Sequence, residues 1–189
     1  MRDAIRVLVQ EGLLLQGKWA TTVVGCAPAD IEQLFDLRAH LEAYAIRLAT
    51  PALDPGAAGE MARAAAAMAR AASAGDTGAY TGADLEFHRA LVGAAGHRWL
   101  RTSWEQLAPV IAATLPLGAD PGGRPRALVA AGHQDVLRYM REGDALSAEA
   151  TLRRHIRGAA AHLIEQFGAA PPAAPPRAPS AGAAGGAVP

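Results

Sequence analysis

Apolar residues recur every three or four positions through most of the chain, a pattern that predicts successive amphipathic helices. Six such segments follow Cys26, and glycine, proline and aspartate separate them. The predicted helices span about residues 30–50, 57–74, 77–95, 97–115, 126–141 and 145–167. Asp30 is expected to cap the first of them, because its side chain can accept from free N–H groups of the first turn. Mostly short joints between helices favour antiparallel neighbours, so the sequence predicts an all-α bundle.

The first helix has the longest apolar stripe, which is expected to face the core. Its members are Ile31, Leu34, Leu37, Leu41, Tyr44, Ala45 and Leu48. A helix of a globular protein usually buries such a stripe and leaves its polar face in water.

The two ends of the chain follow other patterns. A short helical pattern begins at Arg2 and ends near Gly12, and residues 13–24 form two β-like runs around a Gly-Lys turn, which predicts a hairpin. From residue 168 onwards the chain is almost entirely alanine, proline, glycine and serine, a composition that predicts a disordered tail. We therefore expect three parts, at residues 1–25, 29–167 and 168–189.

Composition and charge exclude several classes of protein. Hydrophobic residues make up 51% of the chain and aromatic residues only 5%, so alanine and aliphatic residues must build the core. Trp99 and Trp104 are expected to make core or dimer contacts. A net charge of +0 provides no overall basic field for nucleic acid or anionic membrane. Cys26 is the single cysteine, which excludes an internal disulfide, and no signal peptide or membrane-spanning run is evident, so a cytoplasmic location is expected.

Histidines on three predicted helices are candidate metal ligands. Asp84 and His88 lie one helical turn apart and project from one face, while His133 and His155 fall midway along the fifth and sixth helices. Bundle helices can direct such side chains into one cavity, where imidazole and carboxylate suit zinc, nickel or another first-row divalent ion. From spacing alone, two solvated polar residues and two unrelated histidines are the commoner interpretation.

Several segments resemble the FCD effector domain of FadR-type regulators in the GntR superfamily. Residues 84–91 (DLEFHRAL) resemble its D-x-x-F-H-x-x-L signature, and residues 132–137 and 141–144 resemble its "H-x-x-I-L … G-D" helix and turn. Residues 31–42 resemble its first-helix pattern, and His155 stands where the family has its last metal histidine. The resemblance covers residues 29–167 and implies an FCD-type bundle of about six helices.

The resemblance also implies a metal centre. Carried over position by position, the ligands are Asp84, His88, His133 and His155. Zinc is the expected ion, with nickel or manganese as alternatives. Such a centre keeps coordination positions open, so the resemblance implies a small carboxylic acid as effector.

Two further residues are candidates for effector binding. Arg38 could bind the carboxylate of the acid, since guanidinium and carboxylate pair through two hydrogen bonds; an ion pair with Glu42, one turn away, is the equal alternative. His162 follows His155 by seven residues and could line the cavity, although packing or solvation is the commoner state of such a histidine. His40 and His97 are assigned to the surface.

The first residues resemble the end of a GntR recognition helix. Residues 1–13 (MRDAIRVLVQEGL) match its "V-R-D-A-L-x-x-L-x-x-E-G-L" pattern, which implies that Arg2 and Arg6 contact DNA and that Lys18 lies in the wing hairpin. Met1 stands where valine is usual, and the first two helices of a winged helix-turn-helix are missing from the match. This chain is therefore expected to contain a truncated DNA-binding domain and to bind DNA poorly.

These features predict a homodimeric regulator that binds operator DNA and a metabolite, and that is not an enzyme. One alternative is a metal-dependent enzyme of the hydrolase kind, for which Glu42 is the only clear general base. A second alternative is a sensor or dimerisation module that acts without DNA, if the short N-terminus is genuine.

Overall fold

The computed structural model describes residues 5–6, 9, 14–16, 21–23, 27–118 and 126–169. Its helices are α1 (Pro28–Ala49), α2 (Pro55–Ala74), α3 (Thr77–Ala94), α4 (Arg98–Thr114), α5 (Arg126–Arg141) and α6 (Ala145–Ala169). Two short strands, β1 (Leu14–Gln16) and β2 (Thr21–Val23), pair antiparallel with Leu15 opposite Thr22. The all-α prediction is confirmed, and a hairpin forms where the sequence predicted one.

Aspartate and glycine set most of the helix ends. Asp54 and Asp76 cap α2 and α3, since each carboxylate accepts a hydrogen bond from a backbone N–H of the first turn at 2.8 and 2.9 Å. Asp144 does the same for α6 at 2.9 Å. Gly75 ends α2 with a φ of 70°, a left-handed conformation that glycine adopts without a Cβ clash.

The start of α1 differs from the prediction. Asp30 is not its cap: the helix begins at Pro28, the residue before it is Ala27, and no side chain caps it. Proline suits the first helical position because its φ is already helical and it lacks the N–H that would need a partner. Asp30 lies in the first turn, where its negative charge still favours the positive end of the helix dipole.

The predicted apolar stripe of α1 is only partly buried. Ile31 and Ala45 are in the core, but Leu37, Tyr44 and Leu48 are 49%, 40% and 39% exposed. The prediction that these three face the core is therefore wrong. Helix α1 packs against α6, α3 and α4. Its inward face carries Arg38 and Glu42 beside small and apolar residues.

Alanine-rich packing brings the helices together around a polar centre. Helix α1 packs mainly on α6, α2 on α3 and α5, and α5 on α6. Phe35, Phe87, Trp104 and Leu152 are among the buried side chains that surround this centre. Among the described helices none has the length and apolar character needed to cross a bilayer. The predicted disordered tail lies, apart from its first two residues, outside the described part of the chain.

Candidate metal centre

Four buried side chains from three helices meet in the middle of the bundle. Asp84 and His88 come from α3, His133 from α5 and His155 from α6, and one ligand atom of each lies within 4.8 Å of those of the others. The four-residue spacing puts the first two on one face of α3, as the sequence predicted. The bundle then supplies the two histidines on α5 and α6, which local sequence could not place.

Hydrogen bonds at the outer nitrogens fix the tautomers of two imidazoles. His88 Nδ1 lies 2.5 Å from Glu42 Oε2, and His133 Nδ1 lies 3.0 Å from the Val129 carbonyl oxygen. Both oxygens can only accept while Glu42 is ionised, so both Nδ1 atoms donate. In the neutral form of each ring, Nε2 then carries a lone pair, and the two Nε2 atoms face each other at the centre.

In neutral rings the inner nitrogens of His88 and His133 are acceptors, as is the Asp84 carboxylate, and yet these atoms lie close to each other. His88 Nε2 and His133 Nε2 are 3.2 Å apart, and His133 Nε2 is 3.1 Å from Asp84 Oδ1. Such contacts repel unless a proton or a metal ion lies between them. Two ligand atoms that each lie about 2.0–2.2 Å from one zinc ion stand about 2.8–3.6 Å apart at the bond angles of four- to six-coordinate geometry, so these two separations fit a shared ion.

Electrostatics favour a metal ion over extra protons. Burial, with the neighbouring histidines next, places the pKa of His155 well below its usual value. Burial, followed by the charge of Arg38, also lowers the pKa of His88. Burial alone would raise the pKa of Asp84, but His88, His133 and Arg38 outweigh it and keep the carboxylate ionised. His88 and His155, which burial keeps neutral, form with His133 and a carboxylate whose buried Oδ2 has no hydrogen-bond partner a donor set suited to a divalent cation.

Arg38 forms the ion pair with Glu42 that was one of its two predicted roles, and one nitrogen of its guanidinium has no hydrogen-bond partner. Its Nε donates to Glu42 Oε1 at 2.8 Å. Its Nη2 lies 3.7 Å from Asp84 Oδ2, is buried and has no hydrogen-bond partner. The guanidinium therefore spans the space between Glu42 and the four clustered side chains.

Glu42 has a role that sequence reasoning missed. Its carboxylate is fully buried and accepts from Arg38, from Trp104 Nε1 at 2.8 Å and from His88. Burial would raise its pKa, but His88 and Arg38 outweigh that effect and lower the pKa to about 2. The four-residue spacing from Arg38 was a usable signal, whereas nothing local links Glu42 to a tryptophan 62 positions later.

Other predicted histidines are not members of the cluster. His162 is half-buried on α6, two turns beyond His155, and is not one of the four side chains that meet. His40 is exposed, and His97 is half-buried and caps α4 by accepting from the Leu100 N–H at 3.1 Å. This capping role was not predicted.

The DNA-binding candidates are mostly beyond the described residues. Arg6 is helical and exposed, while Arg2 and Lys18 lie outside the part of the chain that the structure describes. The two tryptophans differ: Trp104 is buried in the core, and Trp99 is 65% exposed.

Comparison with known proteins gives the family. The family model of the FCD domain matches the sequence at residues 33–158, a range that includes all four clustered side chains. The chain belongs to the FCD domain family. None of the curated proteins matches this FCD chain.

Solved structures share the fold of this FCD chain at low sequence identity. McbR/YncC of E. coli is similar with a TM-score of 0.76 and 20% identity over 88% of this chain and 84% of that one. A GntR family transcriptional regulator of Pseudomonas syringae pv. tomato gives a TM-score of 0.61 and 20% identity, over 88% and 70%. The metal-free FCD domain of TM0439 gives a TM-score of 0.63 and 15% identity, over 75% of this chain and 96% of that one.

Proposed function

We propose that this FCD chain is a metabolite-responsive transcriptional regulator of the FadR type, within the GntR superfamily. Its effector domain binds a divalent metal ion through Asp84, His88, His133 and His155. The observation that carries this proposal is the 3.2 Å approach of the Nε2 atoms of His88 and His133, whose Nδ1 atoms both lie against acceptor oxygens. Zinc is the ion of first choice, because its ligand separations fit this cluster, and nickel and manganese are the alternatives.

The effector is a small carboxylic acid that binds at the metal and at Arg38. Three imidazoles and one carboxylate leave positions on the ion for an oxygen of the acid. The free Nη2 of Arg38 is buried beside Asp84 and offers a charged donor to that acid. His162 is a further candidate for the wall of the effector site.

Regulation would act through residues 1–25 and operator DNA. Arg2, Arg6 and Lys18 are the candidate DNA contacts, and arginine suits both guanine edges and phosphate. A homodimer would present two such segments to an inverted repeat. The exposed apolar residues of α1 support the homodimer, since single soluble chains rarely leave large apolar stripes uncovered. A cytoplasmic location agrees with this role.

The contacts of Glu42 disfavour the enzymatic alternative. A hydrolase would need a base close to the metal-bound water, and Glu42 was the candidate. Three donors already use both of its oxygens, and the low pKa makes it a poor proton acceptor. A structural carboxylate is the role that agrees with these contacts.

Metal content of the purified protein tests the proposal. We expect close to one zinc, nickel or manganese ion per chain by elemental mass spectrometry, and its loss in His133→Ala and in His155→Ala. His40→Ala is the matched control, because His40 is exposed and is not one of the four clustered side chains. Absence of metal from the wild type after reconstitution, or retention in both cluster variants, would contradict the proposal.

Binding of the acid is tested separately on the metal-loaded protein. Carboxylic acids should raise its melting temperature in a thermal-shift screen, and Arg38→Lys should weaken that shift, since lysine cannot form two parallel bonds to a carboxylate. Arg47→Lys is the control, because Arg47 pairs with Glu149 on the surface. Equal shifts in both variants would exclude Arg38 as the anchor.

A further inference from the structure

Helix α4 provides no ligand to the cluster, yet one of its side chains is bonded to the groups that surround it. Trp104 is fully buried on α4, and its indole N–H donates to Glu42 Oε1 at 2.8 Å. Glu42 belongs to α1, so this bond joins two helices that are distant in sequence.

The two oxygens of Glu42 serve different partners. Oε1 accepts from Arg38 Nε and Trp104 Nε1, both at 2.8 Å, and Oε2 accepts from His88 Nδ1 at 2.5 Å. A carboxylate at the outer nitrogen of a metal-binding imidazole fixes its tautomer and makes its inner nitrogen a better ligand. Whatever orients Glu42 therefore also orients His88.

We propose that Trp104 is a positioning residue of the metal centre, which holds Glu42 so that His88 offers its Nε2 lone pair to the ion. This inference rests on the proposed metal-binding function. It adds that α4 is linked to the centre through the bonds from Trp104 to Glu42 and from Glu42 to His88.

Trp104 differs from Arg38, the other donor to the same oxygen. The guanidinium of Arg38 also has a nitrogen 3.7 Å from Asp84, so movement towards a ligand would change its bond to Glu42. The indole has one donor and a ring packed in the core, and it therefore holds Oε1 independently of Arg38.

The link also transmits metal occupancy outward. A cation on His88 Nε2 makes Nδ1–H a stronger donor, which draws the negative charge of Glu42 towards Oε2. Oε1 then accepts less strongly from the Trp104 indole. The indole proton of Trp104 should sense the ion although Trp104 is not a ligand.

The first test measures zinc affinity by competition with a chromophoric chelator. Trp104→Phe keeps an aromatic ring and removes the N–H, and we expect about tenfold weaker zinc binding, the lower end of the range for outer partners of metal ligands. Trp99→Phe, an exposed position on the same helix, should bind zinc as the wild type does. Ile111→Val, buried on α4, controls for a general loss of stability.

A merely structural role gives a different result. Trp104→Phe would then melt at a lower temperature without metal, as Ile111→Val does, and both would bind zinc as tightly as the wild type. That outcome would overturn the proposal.

The second test does not depend on the folding of Trp104→Phe. In the ¹H–¹⁵N spectrum, the double variant Trp19→Phe/Trp99→Phe contains only the Trp104 indole signal, and zinc should shift it in proportion to occupancy. The Trp99 signal of the wild type should stay in place. Glu42→Gln, saturated with zinc, should lose the Trp104 shift because the shared negative charge is gone.

The two proposals fail in distinguishable ways. Zinc binding by the wild type with an unmoved Trp104 signal would overturn the link and leave the metal centre in place. A wild type that binds no zinc, nickel or manganese would overturn the proposed function and the link together.

Discussion

Each of two faces of helix α1 carries residues that an ordinary surface helix would place on the opposite side. Its inner face carries Arg38 and Glu42, both buried, and its outer face carries Leu37, Tyr44 and Leu48, all exposed. A surface helix of a globular protein normally buries the apolar stripe and exposes the charges. Each face of α1 therefore has a cost that something else must offset.

The costs of the two faces have different remedies. Buried charges are tolerated when they are paired and hydrogen-bonded, and Glu42 and the Nε of Arg38 meet this condition within the chain. The outer face continues onto the start of α4, where the Tyr44 and His97 rings are 5.8 Å apart and Trp99 is exposed. An apolar surface of this kind needs a partner outside the chain. We therefore expect the inner face to determine stability and metal binding, and the outer face to determine association.

Removal of the Glu42 carboxylate from the inner face should have the largest effect on stability. Glu42→Ala leaves the buried charge of Arg38 without its partner at 2.8 Å. We expect the free energy of unfolding of the metal-free protein to fall by about 3–5 kcal/mol, as it does when one member of a buried ion pair is removed. Urea denaturation measures this change.

Glu32→Ala is the matched control for that variant. Glu32 is exposed on the same helix, so its removal should change the free energy of unfolding by no more than about 0.5 kcal/mol. If the two variants were equally stable, the inner charges would not depend on one another.

Much of the centre was predictable because its signals are local or carried by motifs. Helical spacing alone places Asp84 and His88 on one face, and the resemblance to FCD domains puts His133 and His155 in order along the chain. Capping aspartates and a left-handed glycine likewise made the ends of α2 and α3 predictable from a few neighbouring residues.

What sequence reasoning missed depends on contacts between distant segments. The bond from Trp104 to Glu42 requires the packing of α4 on α1, and no spacing rule specifies that packing. The stripe of α1 was assigned to the core because periodicity shows which residues share a face but not which face meets other helices. Leu37 and Leu48 have the periodicity of a core stripe and are nevertheless exposed.

Negative charges placed on the outer face should disrupt the homodimer. In Leu37→Glu/Leu48→Glu, each homodimer would bury four unpaired carboxylates in an apolar interface, and unpaired buried charges cost several kcal/mol. We expect the dissociation constant of the dimer to rise at least about 100-fold, measured by sedimentation, while metal content stays unchanged because neither residue touches the centre.

A control variant with a charge change elsewhere on α1 shows whether the rise in the dissociation constant depends on the apolar stripe or only on the net charge of the protein. Glu32→Lys lies away from the stripe and should leave the dimer intact. A wild type that sediments as a monomer at all concentrations would contradict the role proposed for the outer face.

The smallest effect concerns the pH dependence of the metal-free protein and sharpens the contrast between buried and exposed histidines. The folded pKa of His155 is well below the value near 6.5 of an unfolded chain, chiefly because of burial. Below about pH 6.5 the unfolded chain therefore takes up a proton that the folded chain does not. As the pH decreases below that value, His155 should lower the free energy of unfolding by up to about 1.4 kcal/mol per pH unit.

Two other buried groups of the centre contribute differently in that window. His88, whose pKa burial also lowers, adds to the fall in the same direction, whereas Glu42, with a pKa of about 2, contributes stability that is lost only below the ordinary glutamate range. Denaturation between pH 7 and 5.5 should therefore show a shallower slope in His155→Asn than in the wild type. His40→Asn, at an exposed position, should keep the wild-type slope. Equal slopes in all three proteins would mean that His155 is protonated as readily in the folded chain as in the unfolded one, which would remove the electrostatic argument for a cation at the centre.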